Sequence, residues 1–498
     1  MTAVKLGAFL PPLCWAVLVA GSGCATVPPC PGRGGPTWRE LTSEHFVVRS
    51  DLELDEVIEV VKTLEENRTA MLAWWGGRPG PVERTPVIAL SRRELGAFDG
   101  FAYDGYYVRR PPFPGTVIAA GHALTRNEIV KHELAHDLAF HFEPIEPRWY
   151  AEGVATFLET TRYDRETRQA SLGEPSETRL AFFQVRGRVR GPSPIEELLG
   201  PPPTDLFELS RFYGTSWLLT HYLVNQRPQA YQRFKRRINA LEPGSAAFRA
   251  EFPDLDSDGL YTVLTSYLSS GNYTVIRGTL PPWAGTPGVR SMADPEVHAL
   301  RAFLYSAVHI SDESQDLAAM RAEVDEALVA ASPPIEALAV AFYTPELKYR
   351  IGRRELATMA VKAHPENWMA WIMLADASPK QEEPPGGEVL LRARGLAPDE
   401  PEVLVRLAEK RAAQGKWNVA LALSGAALPA GANHPDIWLI YAAALWRTGQ
   451  CDQARRWVAA IKGYLPAASR HPLEEATAGT CIPEGQPGSR SLLDPQNK

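Results

Sequence analysis

His132-Glu133-Leu134-Ala135-His136, followed eleven residues later by Pro147-Arg148-Trp149-Tyr150-Ala151-Glu152-Gly153-Val154-Ala155, is the stretch on which the reading of this chain turns. Two histidines four apart lie on one face of a helix, so both imidazoles reach a single metal ion. Glu133 stands beside the first histidine, placed to hold a water bound to that metal. A helix is expected here: Thr125 to Glu128 reads as a capping box ahead of Ile129 and Val130, and no proline interrupts before Pro144. Pro144 and Pro147 end that helix, and Pro147 opens a second over Arg148 to Thr160.

Two helices joined by so short a loop pack antiparallel. With Pro144 at the centre of the turn, Glu152 stands as far beyond it as His136 stands before it, which puts Glu152 level with His136 as third ligand. Gly153 is expected to let the two helices approach closely. Other acids compete: Asp137 is turned away from the histidine pair, Glu143 and Glu146 lie in the turn, and Glu159 is two turns on, beyond the level of His132. A third histidine of the H-E-x-x-H-x-x-G-x-x-H kind is excluded, because Ala139 and Phe142 occupy its glycine and histidine positions.

Composition narrows the classes around this core. The chain has 498 residues, 45% hydrophobic and 22% charged, which is ordinary for a globular protein of about three domains. A net charge of −7 argues against a nucleic-acid partner. The 43 prolines imply many loops and helix starts, and five cysteines are too few for a disulfide scaffold.

Residues 1–23 read as an export signal, with Lys5 ahead of an apolar run too short to span a bilayer. Gly21, Ser22 and Gly23 precede Cys24, and this resembles the lipobox of bacterial lipoproteins, although Gly21 stands where that family usually has leucine. The resemblance implies lipidation of Cys24, and Ala25 after it implies the outer membrane. Residues 24–37, rich in proline and glycine, are expected to form a tether. Cys451 and Cys481 are left as candidates for a disulfide, with Cys30 over.

Residues 38–275 read as α+β, strands first: His45 to Ser50, Thr85 to Leu90, Asp104 to Val108 and Thr116 to Ala120, with a helix over Leu54 to Trp75. Residues 276–292 read as a linker. Residues 293–467 read as helical repeats, clearest over 401–467, and 468–498 as a polar tail. Pro401 and Pro435, Ala408 and Ala442, Gly415 and Gly449, and Ala420 and Ala454 are all 34 residues apart, a period that resembles the tetratricopeptide repeat. Such repeats stack into surfaces that bind other chains.

The uninterrupted pair of motifs, H-E-x-x-H and P-x-W-x-x-E-G-x-A, resembles the gluzincin zinc metallopeptidases of the peptidase MA-like branch. Trp38 to Ser50 and Phe212 to Leu223 are similar to that branch as well. The resemblance implies a zincin-like fold over residues 38–275, one Zn2+ held by His132, His136 and Glu152, Glu133 as catalytic base, and a peptide or protein substrate. It further implies an edge strand ahead of the zinc helix that pairs with substrate, a place taken by Thr116 to Ala120. Tyr213 and His221 are candidates to stabilise the oxyanion. The whole reads as a lipid-anchored zinc metallopeptidase of the cell envelope whose repeats recruit protein clients or partners. The alternatives are a non-enzymatic scaffold built on an inactive peptidase fold, and a processing factor active only on clients that the repeats present.

Overall fold

Alternation along Thr85–Leu90 sets the architecture. Val87 and Ala89 face one side and Ile88 and Leu90 the other, as successive strand residues must, and all four are 2% exposed or less. A strand buried on both faces requires a layer against each. The computed structural model describes residues 27–80, 83–99, 105–108, 113, 115–120, 128–143, 146–176, 184–185, 188–189, 193–200, 203, 206–240, 242–271, 273–307, 313–377, 388–428, 435–462, 471–474, 477–478 and 481. The export signal and Cys24 lie outside these.

The strands are β1 (Arg39–Thr42), β2 (Phe46–Ser50), β3 (Thr85–Leu90), β4 (Gly105–Val108), β5 (Thr116–Ala120), β6 (Arg162–Asp164), β7 (Gln169–Leu172), β8 (Gln184–Val185), β9 (Arg188–Val189), β10 (Ile276–Thr279) and β11 (Gly288–Ser291). The main sheet has the order β11-β1-β2-β3-β5-β4. Strand β3 pairs parallel with β2 and with β5, and the outer pairings are antiparallel. A smaller sheet has the order β10-β7-β6, and β8 pairs with β9.

The helices of the first part are α1 (Leu54–Leu72), α2 (Arg92–Asp99), α3 (Glu128–Phe142), α4 (Arg148–Glu159), α5 (Ile195–Leu199), α6 (Leu206–Gln226), α7 (Pro228–Asn239), α8 (Gly244–Glu251) and α9 (Ser257–Ser270). Then follow α10 (Asp294–Ala307), α11 (Glu313–Leu328), α12 (Ile335–Tyr343), α13 (Arg353–Ala363), α14 (Trp368–Ala377), α15 (Glu388–Leu396), α16 (Pro401–Ala413), α17 (Trp417–Ala427), α18 (Pro435–Arg447) and α19 (Cys451–Ile461). The chain is thus α+β, with a mixed sheet and many helices. No helix among the described residues is long and apolar enough to cross a membrane.

Phe46, Val48, Val87, Ala89, Val117 and Ala119 form one core with Leu134 and Leu138 of α3, Trp149 of α4 and Trp217 of α6. The opposite face, through Ile88, Leu90 and Ile118, packs on Val297, Leu300 and Phe303 of α10 and Leu338 of α12. The sheet is therefore a middle layer, shared between the expected first domain and the expected repeats.

This sharing corrects three boundaries. Residues 276–292 are not a free linker: β10 extends the small sheet against β7, and β11 pairs with β1 as an edge of the main sheet. The described part of the expected tether is packed down, with Cys30 2% exposed in the second core and the Gly32 amide donating to Asp294 Oδ1 at 3.0 Å. The described part of the expected tail is held too: Leu473 is 2% exposed, and Cys481 forms a disulfide with Cys451 at the start of α19.

The 34-residue register is visible as helical pairs. Pro401 opens α16 and Pro435 opens α18, while Gly415 and Gly449 turn each pair at φ of 72° and 79°. Positive φ costs glycine little and other residues much.

Candidate metal centre

Helix α4 ends one residue short of its expected bound at Thr160, and α3 ends before Pro144 as expected; of the expected capping box only Glu128 lies within the described residues. Pro147 caps α4 by accepting from the amides of Tyr150 and Ala151 at 2.9 Å each. Gly153 does not face α3: a Cβ there would meet the Ser216 carbonyl oxygen at 2.5 Å and the Thr220 hydroxyl, both on α6. Its role is to let α6 press on α4 from behind and so hold the carboxylate in place.

His132, His136 and Glu152 come together. His132 Nε2 lies 3.1 Å from Glu152 Oε2 and 3.2 Å from His136 Nε2, and His136 Nε2 lies 3.6 Å from the same oxygen. Zinc bonds of 2.0–2.1 Å in tetrahedral geometry separate ligand atoms by about 3.3 Å. The three atoms thus already stand at the spacing one zinc ion needs, and the donor set of two imidazoles and a carboxylate suits it. Their side chains are 12%, 11% and 2% exposed, so the cluster meets solvent only at its histidine side.

Two flanking groups orient it. Glu159 Oε2 sits 3.0 Å from His132 Nδ1, the nitrogen that faces away from the cluster. Arg148 Nη2 sits 2.7 Å from Glu152 Oε1, leaving Oε2 for the histidines. Glu159 was expected beyond the level of His132, and this is a correction. A long helical side chain leans toward the helix N-terminus and covers the turn before its own Cα, so the Glu159 carboxylate reaches back one turn. Arg148 was missed, although its place four residues before Glu152 on one helix face was readable.

Charges follow from the geometry. Burial opposes protonation of His132, but Glu152 and Glu159 outweigh it and hold the imidazole up at about 10. Burial likewise opposes ionisation of Glu152, yet His136 and Arg148 hold its carboxyl well below the usual range. The carboxylates on its two ring nitrogens hold a positive charge on His132, so the point where the three ligand atoms converge favours a cation, whether a proton or a metal ion.

The competing acids are elsewhere. Asp137 accepts from the Thr85 hydroxyl at 2.7 Å and the Tyr107 hydroxyl at 3.1 Å, tying α3 to β3 and β4. Glu143 accepts from the Tyr150 hydroxyl at 3.0 Å and pairs with Lys235 at 3.1 Å. Buried Glu146 sits beside Glu143, and burial, then that neighbour, pushes its carboxyl well up.

Of the two oxyanion candidates, Tyr213 belongs to the site: burial and then Glu152 raise its phenol, and Arg148 hydrogen-bonds it. His221 does not. It is fully buried, with Nε2 donating to the Gly173 carbonyl at 2.8 Å and Nδ1 facing the Tyr267 hydroxyl at 2.9 Å. Thr116–Ala120 is also displaced from its expected role. It is an interior strand, and the sheet edge beside α3 is β4. No protein-family model, no curated protein and no solved structure matches this chain.

Proposed function

We propose that this chain is a zinc metallopeptidase of gluzincin type, with tetratricopeptide-like repeats that bring it protein clients and a lipid at Cys24 that anchors it in the cell envelope. The convergence of His132, His136 and Glu152 at zinc spacing, with Glu133 next to the first ligand, is the observation that carries this reading.

Bound there, zinc supplies the Lewis acid that polarises a scissile carbonyl and acidifies a water. Glu133 takes the proton of the attacking water and returns it to the leaving amine. Arg148 and Tyr213 stand as donors for the developing oxyanion. Glu159 keeps His132 in the orientation and tautomer in which Nε2 faces the ligand cluster. The half-buried strand β4, last in the order of the main sheet, is where an extended peptide could add backbone pairing. The scaffold alternative leaves Glu133 without work beside a metal site.

Glu133→Gln is the test. Zinc content stays at the parent value, and hydrolysis of labelled casein falls by about 10²–10⁴, the usual contribution of a positioned base. Parent-level hydrolysis by Glu133→Gln sinks the assignment, and a parent that binds zinc but cleaves nothing favours the scaffold.

A further inference from the structure

Behind the N-terminal turn of α3 lies a second cavity, of about 660 Å³, walled by α1, the start of α3, the residues after α4, and β6. None of its lining residues is among the ligands of the metal centre. Its wall is polar, which sets it apart from the mostly apolar pockets that take drug-like or lipid ligands.

The charges on that wall do not cancel. Arg165 is spoken for: its Nε meets both oxygens of Glu66, at 3.0 and 2.9 Å, and its Nη1 pairs with Glu59. Lys131 is 8% exposed, and its ammonium donates to the Thr161 carbonyl at 2.6 Å, which uses one of three donors. Arg162 is exposed on the rim, and its guanidinium makes no hydrogen bond or ion pair with any described residue. Asn67 is 5% exposed, faces the cavity, and makes no side-chain hydrogen bond to any described residue. Against Lys131 and Arg162 stands Glu128.

The nearly buried Lys131 ammonium feels the charges of Glu128 and Glu159 but hydrogen-bonds only a carbonyl, so its remaining donors favour an anion brought into the cavity. A guanidinium and an unused amide share its cavity, and both are suited to oxyanions. The cavity is also much larger than one inorganic ion, and its hydroxyl-rich wall favours a polar body.

We infer that this cavity binds a small polar organic anion, held through its carboxylate or phosphate group by Lys131, Arg162 and Asn67. The site is independent of the reaction proposed above. It is also adjacent to it, because Lys131 immediately precedes His132 and acts on Glu159, the carboxylate that orients His132.

Titration calorimetry on the full chain tests this, with inorganic phosphate and acetate as separate probes. Saturable binding of either is expected, and the tighter probe tells whether a phosphate or a carboxylate is the recognised group. Arg162→Ala and Lys131→Met each weaken binding by about tenfold or more, as loss of a charged hydrogen bond does. His136→Ala disables the metal centre and leaves anion binding at parent strength. No saturable binding of either probe, parent-strength binding by Arg162→Ala, or loss of binding in His136→Ala, which would put the anion on the metal, overturns the inference. Arg162 is exposed, so its variant keeps the test decisive even if Lys131→Met fails to fold.

Discussion

Two buried polar clusters lie on opposite sides of the main sheet, and they are built from similar parts. In the α3–α4 hairpin, His132 has a carboxylate on each ring nitrogen, and Glu152 is shared by His132, His136 and Arg148. In the seam between the sheet and α10, His298 has Glu323 on Nδ1 at 2.6 Å and the Cys30 sulfur 3.4 Å from Nε2. Arg301 reaches Cys30 at 3.2 Å and Glu94 at 2.7 Å. The seam is a line of alternating partners that supplies its own cations. The hairpin's ligand atoms converge on one point, and among the described residues only that group is spaced to hold a metal. Convergence, rather than burial or residue type, separates a candidate metal site from a structural ion-pair chain.

Variants on each side sharpen this contrast. Glu152→Ala has the largest effect: three protein ligands fall to two, and the zinc content of the purified chain drops from about one to near none, measured by elemental analysis. Retention of zinc would sever the family resemblance. Arg301→Met acts on the other side of the sheet. It leaves Glu94, on a fully buried residue, without its cation, at a cost of about 3–5 kcal/mol in denaturant unfolding. Its zinc content should match the parent's, and a change there would show that the two clusters are coupled.

Glu159→Gln has a smaller effect, about 10–100-fold weaker zinc binding by chelator competition, because the orienting carboxylate of His132 is gone. Unchanged affinity would reduce Glu159 to a packing residue. The smallest effect is a pH dependence of the seam. Burial works against the charged form of His298, yet Cys30 and Glu323 hold it up at about 9 against 6.5 in the unfolded chain. Its contribution to stability is therefore complete below about 6.5 and is lost as pH rises through about 9. The melting temperature falls across that window, and Glu323→Gln flattens the fall. An equal fall in that variant assigns the pH dependence elsewhere.

The candidate metal hairpin was legible because everything it needs is local. Spacing of four put His132 and His136 on one face, prolines bounded both helices, and a short turn placed Glu152 opposite. Glu159 was misplaced because counting residues fixes the level of a Cα, while a glutamate's carboxylate lies a turn away from it. Gly153 was assigned to the wrong neighbour because α6 is more than fifty residues further along and nothing local announces it.

By itself, then, the sequence determined the two helices, the candidate ligands, the α+β class and the 34-residue register, but not the strands β6–β11 that follow α4. Each follows from hydrophobic period, capping and turn chemistry over short distances. Only the tertiary structure decided that the sheet has two covered faces, that residues 276–292 complete it through β10 and β11, and that Cys30 is locked against α10. Such pairings join residues as far apart as Arg33 and Glu326, 293 positions. Backbone ladders and apolar contacts carry no residue-level address, so their partners are settled only when all layers compete for the same buried surface.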